Sequence, residues 1–245
     1  MTASSGIATR VGVIGDPHSE HTRLAGVLDW FAGQRVDCLV CTGDIADGRG
    51  SIDRCCAMLA EAGALTVAGN HDRWLLENRV RHVANAHHRE EIGDDAVAYL
   101  SSLPRSRRVE TSGGALMLCH GVAEKDLARV WPGRTPAEIK RSRTLDGLIG
   151  AGDYRYLVNG HMHFRMLLDF ETLTLLNAGT LMGDHAGVSI MDFSSGSISA
   201  YALDDSGRPE LIVEMPLSAD GTRPVWRDTR AFRGDLLPVT LHRHS

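Results

Sequence analysis

Three short apolar runs near the start of the chain, Val11 to Gly15, Cys38 to Thr42 and Leu65 to Ala68, each give way to glycine or to a residue type that can bind a ligand. Runs of this length read as buried strands that end in functional loops. Between the first two, Leu24, Val27, Leu28 and Phe31 recur at intervals of three and four behind Ser19, a suitable N-cap. The segment Ile52 to Leu59 links the second and third runs in the same way. A β-α-β-α-β opening follows, with parallel strands, right-handed crossovers and strand carboxyl ends that share one edge.

That edge collects chemistry. Asp16-Pro17-His18, Gly43-Asp44 and Gly69-Asn70-His71-Asp72 follow the three runs in order, and His120-Gly121 and Gly160-His161-Met162-His163 come later in the chain. An Asp-x-His step leaving a strand puts two side chains on the same side of the backbone, so Asp16 and His18 can grip one ion. The His161-x-His163 step has the same spacing, but a bend there would let its two imidazoles reach different ions. Carboxylate, imidazole and the amide oxygen of Asn70 form a mixed donor set that suits two divalent transition-metal ions, Mn, Fe, Zn, Co or Ni, better than Ca. Each cluster alone could be a simple turn. All five in this order, each at the end of a strand-like run, point to metal-assisted hydrolysis.

From Arg73 to Gly150 the pattern changes to two mainly helical stretches, interrupted by the apolar run Ala115 to Cys119 that delivers His120. They read as helical insertions, at about 73–110 and 122–150, that form a partial lid. Thirteen Lys and Arg against ten Asp and Glu between residues 73 and 150 make this part locally basic. Beyond residue 154 the runs Tyr156 to Val158, Met166 to Phe170, Leu173 to Leu176, Val188 to Phe193 and Ile198 to Leu203 predict a second, mostly antiparallel sheet. Residues 1–215 form one domain in this reading. Residues 216–245 mix Pro, Arg, Gly and isolated aromatics, as either an arm packed on the body or a disordered tail.

Composition narrows the function classes. With 245 residues and 43% apolar content the chain can bury a full core, and a formal charge of -5 argues against nucleic acid held by bulk electrostatics. No stretch approaches the roughly 18 apolar residues that a membrane span needs, and the first nine residues contain no signal core. Five cysteines in no paired spacing read as reduced thiols, hence a cytoplasmic location.

The five clusters resemble those of the calcineurin-like metallophosphoesterase superfamily, whose members share Asp-x-His, Gly-Asp, Gly-Asn-His-Asp/Glu, a lone His after a strand, and Gly-His-x-His. The resemblance covers residues 10 to about 193. Asn177-Ala178-Gly179-Thr180 is similar to the Asn-x-Gly-Ser turn of the compact bacterial phosphodiesterase branch. The fold implied is α/β, a four-layer α-β-β-α sandwich of two facing mixed β-sheets with helical insertions near the active site. The resemblance further implies one ion held by Asp16, His18, Asp44 and His163, and a second by Asp44, Asn70, His120 and His161. It implies that a metal-activated hydroxide attacks the phosphorus and that His71 contacts the phosphate and protonates the leaving oxygen. Asp72 would orient that imidazole, or else simply serve the N-terminus of the following helix.

Two residues are weaker substrate candidates. Arg49 closes a loop close to the Gly-Asp-x-Val-Asp-Arg-Gly signature of the phosphoprotein phosphatases, but with an extra glycine before the arginine. His185 follows the Asn177 turn. The expected activity is hydrolysis of small phosphodiesters or nucleotide-like phosphate esters. A phosphomonoesterase or dinucleoside polyphosphate hydrolase, a non-catalytic scaffold of the same fold, and a homo-oligomer remain alternatives.

Overall fold

In a computed structural model, residues 6–133, 138–234 and 239–242 are described. Expectations that fall on residues 1–5, 134–137, 235–238 and 243–245 lie outside the described residues. The opening follows the predicted alternation: β1 (Arg10–Ile14), α1 (His21–Ala32), β2 (Cys38–Cys41), α2 (Ile52–Glu61), β3 (Leu65–Thr66) and α3 (Asn70–Leu76). Then come α4 (Asp94–Ser102), β4 (Ser106–Thr111), β5 (Gly114–Cys119), α5 (Arg143–Ala151), β6 (Tyr156–Asn159), β7 (Met166–Phe170) and β8 (Thr174–Asn177). The chain closes with β9 (Gly187–Asp192), β10 (Ser197–Leu203), β11 (Pro209–Pro216), β12 (Val225–Trp226) and β13 (Val239–Thr240).

One sheet runs β11-β10-β9-β1-β2-β3, and the other runs β12-β7-β8-β6-β5-β4, with β13 also pairing β7. Strands β1, β2 and β3 are mutually parallel, and so are β5, β6 and β8, while the outer pairings are mostly antiparallel. Both sheets are therefore mixed, and the expected second, mostly antiparallel sheet beyond residue 154 is corrected: β9 and β10 join β1 in the first sheet, while β6 pairs parallel with β5 and β8 in the second. Alternate residues of β1 face opposite ways, as the period of a strand requires. Val11 and Val13 join Val40, Leu116, Leu118, Val158 and Leu176 in the core between the sheets. Ile14 joins Leu24, Val27, Phe31, Cys55 and Leu59 under the helices of the first sheet. On the far side, Leu145 and Ile149 of α5 cover Met117, Leu157, Leu168 and Leu175. The result is the expected four-layer sandwich.

Gly12 permits one close contact of this layer, since a Cβ there would strike the side chains of Leu39 and Phe31. Phe31 is only 2% exposed, and truncating such a side chain to alanine costs about 3–5 kcal/mol. The buried cysteines are free thiols, and burial pushes Cys55 and Cys119 up to about 12, so they pack as neutral apolar groups. Among the described residues no helix is long and apolar enough to cross a membrane.

Three local expectations are corrected. Ser19 does not cap α1: the N-cap is Glu20, and the Ser19 hydroxyl donates to the Ile45 carbonyl at 3.1 Å. The insertions are less helical than expected. Residues 106–111 form β4, an edge strand that places Arg107, Val109 and Thr111 on the inner face and Ser106, Arg108 and Glu110 on the outer, and of 122–150 the described helix is α5 alone. Pro132 and Gly133 are poor helix formers in the middle of that second stretch. Finally, β11 is an additional strand that pairs with β10, and beyond it the arm packs on the body, placing β12 and β13 beside β7.

Candidate metal centre

The five clusters meet at the carboxyl ends of the parallel strands. Asp16 and His18 follow β1, Asp44 follows β2, Asn70 and His71 open α3 after β3, His120 follows β5, and His161 and His163 follow β6. Both sheets thus contribute, as expected for strand ends that share one rim. Asp16, His18, Asp44 and His163 present ligand atoms within 4.8 Å of one another, and so do Asp44, His120 and His161. Asp44 stands in both groups. Asn70 adjoins the second: its Oδ1 lies 3.0 Å from Nε2 of His120.

The hydrogen bonds behind these side chains aim them. Nδ1 of His18 donates to the Asp47 carbonyl at 2.8 Å, and Nδ1 of His120 donates to the Thr42 carbonyl at 2.8 Å. A carbonyl can only accept, so each ring keeps a proton on Nδ1 and points Nε2 inward, where its lone pair serves an ion that replaces any proton there. There Nε2 of His18 is 2.8 Å from Nε2 of His163, and Nε2 of His120 is 3.2 Å from Oδ2 of Asp44. Lone pairs converging in this way fit a cation. Arg129 donates through Nε to Nε2 of His161 at 3.2 Å, so the neutral ring carries its proton on Nδ1 and its lone pair on Nε2, where Arg129 and an ion would compete for it.

Backbone strain marks the same place. His18, Asp44, His161 and His163 have φ of 42°, 51°, 67° and 54°, a region that costs a non-glycine residue on the order of 1 kcal/mol. The surrounding contacts offset this. Oδ1 of Asp16 accepts from the Thr42 hydroxyl at 2.7 Å and Oδ2 from the His161 N–H at 2.7 Å, while the Thr180 hydroxyl donates to the Asp16 carbonyl at 2.8 Å. Asn177 donates to Oδ1 of Asn159 at 3.0 Å and to the Gly160 carbonyl, bracing the His161 bend. A Cβ at Gly160 would collide with Oδ1 of Asp16 and with Thr42. Only glycine lets the two ligand loops touch.

The electrostatics favour positive charge at the centre. Burial alone would lower His120, yet the charges of Asp44 and Asp16 outweigh it and push the imidazole up to about 10. Burial would likewise raise Asp44, but His120, His18 and His71 hold it well below the ordinary carboxylate range. Burial, aided by the neighbouring imidazoles, lowers His161 to about 4 and His163 to about 3, so both are neutral, as ligands must be. A field that attracts a proton here attracts a divalent ion as well, and the donor set fits one.

His71 belongs to neither ligand group, and its partner is not Asp72. Nδ1 of His71 meets Oδ2 of Asp47 at 2.7 Å, which leaves Nε2 for the cleft. Burial would lower this imidazole, but the Asp47 hydrogen bond and the Asp44 charge raise it. Asp72 is fully buried, and its carboxylate accepts from the N–H groups of Ile45 at 2.8 Å, Ala46 at 2.9 Å and Gly69 at 2.9 Å. The orienting role expected of Asp72 is thus corrected. Consecutive residues of a helix do not face one another, so a neighbour in sequence could not reach the ring. Asp72 instead ties the Asp44 loop to the N-terminus of α3. Asp47 lies in the phosphatase-like loop noted in the sequence, where its spacing from Asp44 was the available signal.

A cleft of about 410 Å³ opens beside the centre, lined by Asp44, Asn70, His71, His161 and His163 together with Trp74, Val83, Leu127, Arg129 and Met162. Arg49 and His185 are not among its walls. Arg49 is exposed, and the exposed His185 ring packs 4.9 Å from that of His242. Arg129 and Arg81 were hidden in the basic background of the insertions. Nothing in their spacing separates them from solvated charges.

Comparison with known proteins agrees with this geometry. The model of the calcineurin-like phosphoesterase superfamily domain matches residues 9–196. An uncharacterized protein of Methanocaldococcus jannaschii is 23% identical over 185 residues, 73% of this chain and 72% of that protein. The crystal structure of a metallophosphoesterase from Sphaerobacter thermophilus is similar with TM-score 0.59 and 19% identity, covering 80% of this chain and 89% of that one. Yfce, a phosphoesterase from E. coli, is similar with TM-score 0.53 and 18% identity, covering 85% and 100%. The chain belongs to the calcineurin-like phosphoesterase superfamily and, with it, to the metal-dependent phosphoester hydrolases. Members of the family bind divalent metals, and the two donor groups are this chain's candidate for that site.

Proposed function

We propose that this protein hydrolyses small phosphodiesters or nucleotide-like phosphate esters at a centre of two divalent transition-metal ions, in the cytoplasm. The observation that carries the reading is Asp44, shared by two donor groups at the base of a cleft that also exposes His71. Asp16, His18, Asp44 and His163 would hold one ion, and Asp44, Asn70, His120 and His161 the other. When bound, such a pair acidifies a water and stabilises the charge on the phosphate oxygens. His71, held through Nδ1 by Asp47, offers Nε2 to the departing oxygen and protonates it. Arg129 stands at the cleft as a cation for a non-bridging oxygen.

The apolar wall of Trp74, Val83, Leu127 and Met162 supports a diester, since it can seat an organic arm on the phosphate, and among the described residues Arg129 is the only arginine lining the cleft. A monoester or a dinucleoside polyphosphate, with more charge, is the second reading, supported by Arg129 itself. The test compares kcat/KM on bis(p-nitrophenyl) phosphate and p-nitrophenyl phosphate for protein loaded in turn with Mn, Fe, Zn, Co and Ni. Preference for the diester is expected. Preference for the monoester would reverse the order of the two readings, and hydrolysis of neither would leave the scaffold alternative standing.

A further inference from the structure

The carboxylate that holds His71 is itself held. Arg81 donates through Nη1 to Oδ1 of Asp47 at 2.8 Å and through Nη2 to Oδ2 at 3.0 Å. The Asp47 side chain is 1% exposed and that of Arg81 10%. The same guanidinium ties down its own segment, with Nη1 on the His87 carbonyl at 2.7 Å and Nε on the Arg79 carbonyl at 2.8 Å. The His87 N–H adds a bond to Oδ1 of Asp47 at 3.0 Å. Val83, in the middle of this segment, lines the cleft. The backbone is strained at both anchor points, with φ of 64° at Asp47 and 54° at the β-branched Val80.

We propose that Arg81 is a positioning residue for proton transfer to the leaving group: its fork fixes the plane of the Asp47 carboxylate, and through it the ring of His71. The inference rests on the proton-donor reading of His71 given above. A planar fork is what this task requires, because two parallel N–H···O bonds prevent the carboxylate from turning, while the ammonium of a lysine, a single point charge, could not. In the step itself a water oxygen forms the new P–O bond and its proton passes to solvent. The old P–O bond breaks with its electron pair on the leaving oxygen, which takes the proton from Nε2 of His71. The Nδ1–H stays on Asp47 throughout, and solvent restores the Nε2 proton. A ring that swings on a loose carboxylate would misplace Nε2, and displacements of about 1 Å are known to cost up to 100-fold.

The test uses two esters that differ in their need for that proton, methyl p-nitrophenyl phosphate and methyl phenyl phosphate, with the Mn-loaded protein. The ratio of kcat on the phenyl ester to kcat on the nitrophenyl ester should fall about tenfold in Arg81→Met and by less in Arg81→Lys. In His71→Ala it should fall at least as far. The ratio reports only on active molecules, so partial misfolding leaves it unchanged; if Arg81→Met yields none, Arg81→Lys decides. A readout without turnover is the His71 Nδ1–H proton in NMR spectra of the protein loaded with diamagnetic Zn, expected to be resolved in the parent and lost to solvent exchange in Arg81→Met. An unchanged ratio in the Arg81 variants beside a fallen ratio in His71→Ala overturns the inference alone. An unchanged ratio in His71→Ala, or no hydrolysis of either ester by the parent, overturns the underlying reading and the inference with it.

Discussion

Asp47 and His71, separated by 24 residues, join side chain to side chain at 2.7 Å, while Asp72, the residue next to His71, turns its carboxylate to three backbone N–H groups. Proximity in sequence and proximity in space therefore assign opposite roles to the two carboxylates. Replacing Asp47 by Asn keeps the size of the side chain but removes the charge that steadies the imidazole. General acid catalysis contributes roughly 100- to 10,000-fold, and Asp47→Asn should forfeit at least about tenfold in kcat with a smaller change in KM. Steady-state kinetics on a phenyl ester will show this, and a change confined to KM would contradict it.

Asp72 should behave as a structural residue. Asp72→Ala leaves the N–H groups of Ile45, Ala46 and Gly69 without their acceptor, at about 1–3 kcal/mol for each group left unsatisfied after relaxation. For a chain of this size each kcal/mol lowers Tm by about 2–4 °C, so a fall of roughly 5 °C or more is expected. Calorimetry decides the matter. Loss of activity with an unaltered melting curve would return Asp72 to a direct catalytic role.

Metal stoichiometry should track membership of the two donor groups. Asp44→Ala, which removes the shared carboxylate, should reduce bound metal from two equivalents to less than one, whereas His163→Ala should leave one. Elemental analysis of protein equilibrated with Mn gives the numbers directly. Treatment with a chelator should abolish hydrolysis, and added Mn should restore it; activity that survives complete metal removal would rule out the proposed centre.

Arg129 should act on binding more than on chemistry. A hydrogen bond to a charged group contributes about 1.5–3 kcal/mol, so Arg129→Ala should raise KM for a diester roughly tenfold or more. Because Arg129 takes the Nε2 lone pair of His161, its removal should leave metal affinity unchanged or raise it. Kinetics at saturating Mn separates the two effects. A KM that does not move would remove Arg129 from the substrate site.

Much of the centre is legible in the chain because strand ends are legible. Val11 to Gly15, Cys38 to Thr42 and Leu65 to Ala68 mark strands by their apolar runs, and the residues that follow a parallel strand must emerge at its carboxyl rim. That is enough to bring Asp16, His18, Asp44, Asn70 and His71 to one edge. The same argument served His120 and the His161 bend. It failed for β4, which falls in a stretch expected to be mainly helical although Arg107, Val109 and Thr111 alternate with Arg108 and Glu110 in an edge strand paired with β5.

The linear order of residues determined, by itself, the β-α-β-α-β opening and the donors at its rim, because these depend on local alternation of apolar and polar side chains; the sandwich was what the family resemblance implied. Tertiary structure alone decided which carboxylate serves His71, that Arg81 grips that carboxylate across 34 positions, and that Arg129 rather than Arg49 lines the cleft. Contacts of that kind arise where loops from different strands cross. Their energies come from distances and burial that no local pattern encodes.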